Sequence, residues 1–148
     1  MQSKGFTLVE LMVSIAIAVI IITIAIPSFT NFLRNSTVRT QANELAAVMQ
    51  FARSEAIKRR TDIDVAVDND GGMFIDVTQV TDNQLLRTLS HRNRPVTVSV
   101  PATVRYNSRG LLPAAQCFEL THNASAAFTR HINVSLTGIP TVNTGGCV

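Results

Sequence analysis

From Leu11 to Ile26 the chain carries no charged side chain, and only Ser14 and Thr23 are polar there. Few folds tolerate such a run. As a helix, the 21 residues from Phe6 to Ile26 extend about 31 Å, enough to cross a hydrocarbon core. One carboxylate, Glu10, sits just inside that length. An acid deep in lipid costs roughly 2.5–3.5 kcal/mol on insertion scales, so it marks a functional position and needs a partner. A local role is open beside that one. Thr7-Leu8-Val9-Glu10 fits a capping box, in which the glutamate accepts a backbone N–H at the helix start and complements the helix dipole.

The stretch Gly5-Phe6-Thr7-Leu8-Val9-Glu10-Leu11-Met12 resembles the class III signal of type IV pilins and type II secretion pseudopilins. The resemblance implies a leader, residues 1–5, cut between Gly5 and Phe6 by a prepilin peptidase that also N-methylates Phe6. It implies that Glu10 pairs with the amino group of Phe6, in a neighbouring subunit or its own chain. Lys4 before the run favours a cytoplasmic N-terminus. The leader is too short to hold the apolar core of an ordinary secretory signal. The expected place is the bacterial inner membrane, single-pass with a periplasmic head, and then a pilus or pseudopilus. The expected partners are membrane lipid, an inner-membrane assembly platform and other pilin or pseudopilin subunits.

Pro27 closes the apolar run and, inside a helix, removes the hydrogen bond to the Thr23 carbonyl. Helical spacing then resumes, with Leu45, Met49, Ala52 and Ala56 forming one apolar stripe. Glu55 and Arg59 stand in the favourable i, i+4 order. The reading is one helix, kinked at Pro27, from about Phe6 to Arg59. Residues 6–26 form its membrane and assembly half, and 27–60 its amphipathic half. Lys58-Arg59-Arg60 offsets the dipole at its end.

From Thr61 the apolar period becomes two, with Ile63, Val65 and Val67 on one face. Asp68 to Gly72 is a turn, and Met73–Val77 the returning strand. Further strands are expected at Leu85–Leu89, Val96–Val100, Val104–Tyr106, Cys117–Thr121 and Ile132–Leu136. Residues 61–148 thus form an antiparallel β-sheet head, and the fold class is α+β.

Phe51 to Arg59, Val65-Ala66-Val67 and Tyr106-Asn107-Ser108-Arg109-Gly110 are similar to the GspH/FimT/FimU branch of these families. That resemblance implies a minor pilin of a type IV pilus priming or tip complex. The alternatives are pseudopilin H of type II secretion and a DNA-binding minor pilin of natural transformation. DNA-binding members carry a Gly-Arg-x-Arg tail. The matching place here, Gly138-Ile139-Pro140-Thr141, has neither arginine, so nucleic acid is not an expected partner. Net charge of +3 is too small to argue otherwise. Arg87, Arg92, Arg94, Arg105, Arg109 and Arg130 are either a patch or a scattered solvated surface.

The two cysteines, Cys117 and Cys147, lie in the part expected outside the cytoplasm, where disulfides persist. A bridge between them is the reading, with two unpaired thiols as the alternative. His91, His122 and His131 lack metal-ligand spacing. Asp68-Asn69-Asp70 offers oxygen ligands suited to calcium but reads as a turn. No hydrolase elbow or phosphate-binding loop occurs. A structural subunit without a cofactor or metal is expected, not an enzyme.

Overall fold

The computed structural model describes residues 5–69, 72–92, 95–99 and 103–147. Lys4, Asp70, Gly71, Arg94 and Val100, each used in the reading above, lie outside the described residues. Helix α1 runs from Leu8 to Arg59 without interruption at Pro27. It starts two residues later than expected because Thr7 is its N-cap. The Thr7 hydroxyl accepts the Glu10 N–H at 3.2 Å, and Glu10 Oε2 accepts the Thr7 N–H at 3.3 Å. Its other end closes on Arg60, left-handed at φ 54°. The Thr61 N–H then reaches back to the Ala56 carbonyl at 3.3 Å, satisfying one of the helix's last acceptors.

The chain divides into two compact units, one ending at Arg34 and one beginning at Asn35. In the first, the helix surface is apolar and exposed. Three hydroxyls fold back onto helix carbonyls: Ser14 to Glu10, Thr23 to Ile20 and Thr30 to Pro27, at 2.7–2.9 Å. Such internal satisfaction is what a non-aqueous surrounding demands.

The second unit holds the whole buried apolar core, which begins at Val38. The stripe of Leu45, Met49, Ala52 and Ala56 is fully buried, as expected, and extends back through Val38 and Ala42. Burial of each large apolar side chain contributes about 1.5–3 kcal/mol. A second buried row lies beside it at heptad spacing: Gln41, Val48 and Glu55.

Among the described residues eight strands complete this unit: β1 (Ile63–Asp68), β2 (Gly72–Gln79), β3 (Leu85–Arg92), β4 (Val96–Ser99), β5 (Thr103–Tyr106), β6 (Gln116–His122), β7 (Ser125–Val134) and β8 (Pro140–Asn143). They form two four-stranded antiparallel sheets, ordered β3-β2-β1-β5 and β4-β6-β7-β8, where the sequence suggested one meander. Alternation along β1 buries Ile63, Val65 and Val67 as expected. The expected strand Ile132–Leu136 is corrected: β7 begins at Ser125 and ends at Val134. Ser135 instead opens a turn in which the Gly138 N–H donates to its carbonyl at 2.8 Å.

The sheets are joined by a side chain. Asn69 Nδ2 donates to the Val98 carbonyl at 2.6 Å, and the Val98 N–H donates to Asn69 Oδ1 at 3.1 Å. One carboxamide thus acts as an extra strand residue at the edge of β4. Asn69 therefore serves the fold.

Candidate assembly site

The candidate site begins at the mature end proposed above. Gly5 and Phe6 precede the helix and are exposed, Phe6 at 78%. Glu10 Oε2 is held by both the N–H and the hydroxyl of Thr7, the latter at 3.1 Å. Its Oε1 has no partner among the described residues. The capping box is therefore formed, and it occupies one carboxylate oxygen only. Around it stand Leu8, Val9, Leu11, Met12 and Val13, all more than half exposed. Every large apolar side chain from there to Leu33 is likewise uncovered. The helix is long and apolar enough to cross a membrane. In water such a surface, far larger than the patches of ordinary monomers, demands lipid or other helices.

Pro27 lies within this surface, where its ring leaves the Thr23 carbonyl without an i+4 donor. The Thr30 hydroxyl bonds the Pro27 carbonyl at 2.9 Å, so the turn after the proline is held by a side chain.

In the second unit, Cys117 and Cys147 form a disulfide with Cα atoms 5.6 Å apart. It ties the start of β6 to the tail beyond β8. Two of the segments quoted for the second resemblance, Phe51 to Arg59 and Tyr106 to Gly110, meet at Arg53. Arg53 Nε donates to the carbonyls of Gly110 at 3.2 Å and Thr137 at 2.9 Å. The Tyr106 hydroxyl approaches the Gly138 carbonyl at 3.5 Å, and its burial pushes the phenol pKa well above the ordinary range. Gly110 and Gly138 both have positive φ, 72° and 76°. A Cβ at Gly138 would stand 2.3 Å from the Gly110 carbonyl oxygen. Two turns and one helix thus lock through Arg53, a residue whose role the sequence did not reveal. The only local hint was glycine placed in two separate polar turns.

The tail position of the DNA-binding pattern falls in this lock. Gly138 is buried, Ile139 is exposed, and Pro140 opens β8. Three of the arginines named above, on three different strands, have side-chain partners. Arg105 binds Asp64 with two bonds of 2.7 Å across β5 and β1. Arg87 lies on β3 over the Phe51 ring, 5.4 Å from its centre. Arg130, on β7, donates to Asn35 Oδ1 at 2.8 Å. Glu55 accepts from Arg59 at 2.6 Å and lies 3.5 Å from Lys58. These cations hold its carboxyl below the usual range, chiefly through the Arg59 hydrogen bond, against the opposing effect of burial. His91 Nε2 meets Glu44 Oε2 at 2.6 Å, and His122 Nδ1 accepts the Ala124 N–H at 3.1 Å. His131 Nε2 stands 3.9 Å from Glu119. Among the described residues no cluster of three metal-ligating side chains occurs.

A family model described as type II transport protein GspH matches residues 41–138. One described as a prokaryotic N-terminal methylation motif matches residues 1–26. A curated fimbrial protein of Pseudomonas aeruginosa is 32% identical over 94 residues, 55% of this chain and 61% of that protein. The chain thus spans less than two thirds of that relative. The crystal structure of the Pseudomonas aeruginosa type IV minor pilin FimU aligns with a TM-score of 0.65 at 22% identity, covering 76% of this chain and 92% of FimU. The minor pseudopilin EpsH from the Vibrio cholerae type 2 secretion system aligns with a TM-score of 0.60 at 14% identity. It covers 74% of this chain and 98% of EpsH. At these identities the two structures carry the shared fold, a long N-terminal helix with antiparallel sheets.

Proposed function

The chain belongs to the GspH family of type II transport proteins, structural subunits of the pilin and pseudopilin class, and from that premise we propose that it is a minor pilin of a type IV pilus. In this reading the leader of residues 1–5 is removed, Phe6 is methylated, and the apolar helix waits in the inner membrane before packing into the filament. One observation carries the proposal: an uncovered apolar helix surface whose single acid, Glu10, has one carboxylate oxygen in the cap and the other without a partner among the described residues. Capping and subunit pairing are therefore compatible. The free oxygen can meet the amino group of a trimmed Phe6, and neutralising both charges makes the apolar packing tolerable.

Glu10→Gln separates the two roles, because glutamine also serves a capping box. The variant keeps the helix start and loses the charge. Processing proceeds, the protein reaches the membrane, and incorporation into filaments falls; immunoblots of sheared filaments measure it. Wild-type incorporation of Glu10→Gln would falsify charge pairing as the assembly determinant. Mass spectrometry of the mature N-terminus tests the processing step, with methylated Phe6 expected.

A second reading, pseudopilin H of type II secretion, is favoured by the family description and the likeness to EpsH. Deletion of the gene distinguishes them: loss of surface pili supports the first, and retained pili with loss of secreted enzymes supports the second.

A further inference from the structure

Outside the features used so far, the exposed apolar side chains of the second unit gather at one end. Among the described residues, five large ones of that unit are exposed: Ile57, Leu85, Leu111, Leu136 and Ile139. All but Leu85 stand at the Arg53 lock. Ile57 packs against Gly110, and Leu111 follows that glycine. The Leu136 carbonyl accepts the Leu112 N–H at 3.0 Å, and Ile139 follows Gly138. Ile57, Leu136 and Ile139 are 46%, 56% and 49% exposed. Two concavities share Ile139. One, of about 430 Å³, is lined by Ile57 of the helix and by Pro140; the other, of about 580 Å³, by Leu136 and Ala115. The chain here is also free of charge: neither 110–118 nor 132–148 contains Asp, Glu, Lys, Arg or His. An apolar, grooved surface depleted of charge has the composition of an interface core.

Charge returns at the helix end of this surface. Lys58 follows Ile57, with its side chain 76% exposed. Arg60 closes the helix, and Arg109 precedes Gly110. Both arginines are exposed, and their side chains have no partner among the described residues. The acids nearby are engaged, Glu55 by Arg59 and Lys58, and Asp62 by the Ser108 N–H at 3.1 Å. We propose that this end of the second unit docks a different subunit of the filament, one whose contact face sets carboxylates beside apolar side chains. Grooves receive protruding side chains, so a protein fits them and a flat bilayer does not. The cations at one edge call for carboxylates, since complementary charge sets partner and register. A second copy has none to spare, because every described acid of this unit, from Glu44 to Glu119, already has a partner. The proposal rests on the reading of the chain as a filament subunit, whose neighbours share its membrane and meet it at high effective concentration.

The test uses the full chain in its own cells, with the photo-crosslinking residue p-benzoylphenylalanine placed at Leu136, at Ile139 or, as a control, at Leu85. The joined peptides are identified by mass spectrometry. Positions 136 and 139 are expected to join one pilin-class subunit other than this chain, at a peptide carrying Asp or Glu, and position 85 not to join it. Arg109→Glu, at an exposed side chain without a described partner, is expected to lower the yield about tenfold, the loss of one close charge pair. Exchanging the joined peptide's acid for lysine is expected to restore the yield, which also shows that the variant is folded. Joining to a second copy, an adduct of lipid mass, equal joining from position 85, or no protein product overturns the proposal. So does a yield indifferent to Arg109→Glu, or one that the exchange fails to restore. The mature N-terminus of the same sample keeps the two readings apart. Methylated Phe6 without the expected product overturns this proposal alone. An unprocessed chain that still gives the product overturns the reading above alone, and one that does not overturns both.

Discussion

Removing the disulfide tests how the second unit is closed. Cys117 and Cys147 are 30 residues apart, and β7 and β8 lie between them. β8 has four residues, stands at the sheet edge and pairs with β7 alone. Without the bond its retention depends on that short ladder. The chain-entropy model gives a loop of this length roughly 3–4 kcal/mol at 25 °C. The unit from Asn35 to Val148 contains the whole core, so it is the fragment to melt. With about 2.1 cal/mol/K of unfolding entropy per residue, such a unit loses roughly 15 °C in Tm for that free energy. Cys117→Ser/Cys147→Ser is compared with the parent by circular dichroism melting, and the parent is melted again under reductant. Hydrogen exchange should show residues 140–143 losing protection first. A double variant that melts within about 3 °C of the parent refutes the reasoning. The reduced chain would then already be as restricted as the bridged one.

Four further outcomes follow from named contacts. Gly138→Ala is expected to cost about 2–5 kcal/mol, from a left-handed backbone and a Cβ driven into the Gly110 carbonyl; Gly145→Ala, with open space around it, is the control with an unchanged urea midpoint. Gln41 is fully buried and neither carboxamide atom has a hydrogen-bond partner among the described residues, so Gln41→Leu should stabilise the second unit by about 1–3 kcal/mol, read as a higher urea midpoint. The depressed Glu55 carboxyl adds stability above its unfolded value of about 4.5 that is lost as pH falls through its lower folded value. Glu55→Gln should flatten the acid limb of Tm against pH. The raised Tyr106 phenol adds stability that is complete below pH 10.0 and is lost above it; Tyr106→Phe should flatten the alkaline limb.

What could be read from the chain was what local spacing determines. The Leu45 to Ala56 stripe and the Glu55–Arg59 pair depend on positions three or four apart, and the structure contains both. The capping box at Thr7 and Glu10 is equally local. The row Gln41, Val48, Glu55 was missed because two of its members are polar, and burial of a polar side chain is decided by what packs over it. The first part of β7, Ser125 to His131, lacks a run of branched apolar residues, so no strand is expected before Ile132. β8 was hidden by Pro140, which a strand accepts at its first residue or on an edge. Two sheets rather than one require β5 to return beside β1, a pairing across some forty residues that no local pattern encodes. The same distance hid Arg105–Asp64, which exists only through the register of β1 on β5.

The Arg53 lock shows where local reading ends. Its bonds reach 57 residues to Gly110 and 84 to Thr137, and each turn it holds needs a glycine for a different steric reason. At Gly110 a Cβ would meet Ile57 and Arg53 side chains at 2.8–3.0 Å, whereas at Gly138 it would meet backbone. Side chains can shift and a carbonyl in a tight turn cannot, so Gly138 is the less replaceable of the two. An arginine-bearing tail would begin where this lock closes. Here the position is committed inward, with Ile139 exposed and Pro140 opening the edge strand. The residues at that place complete a fold instead of reading phosphate.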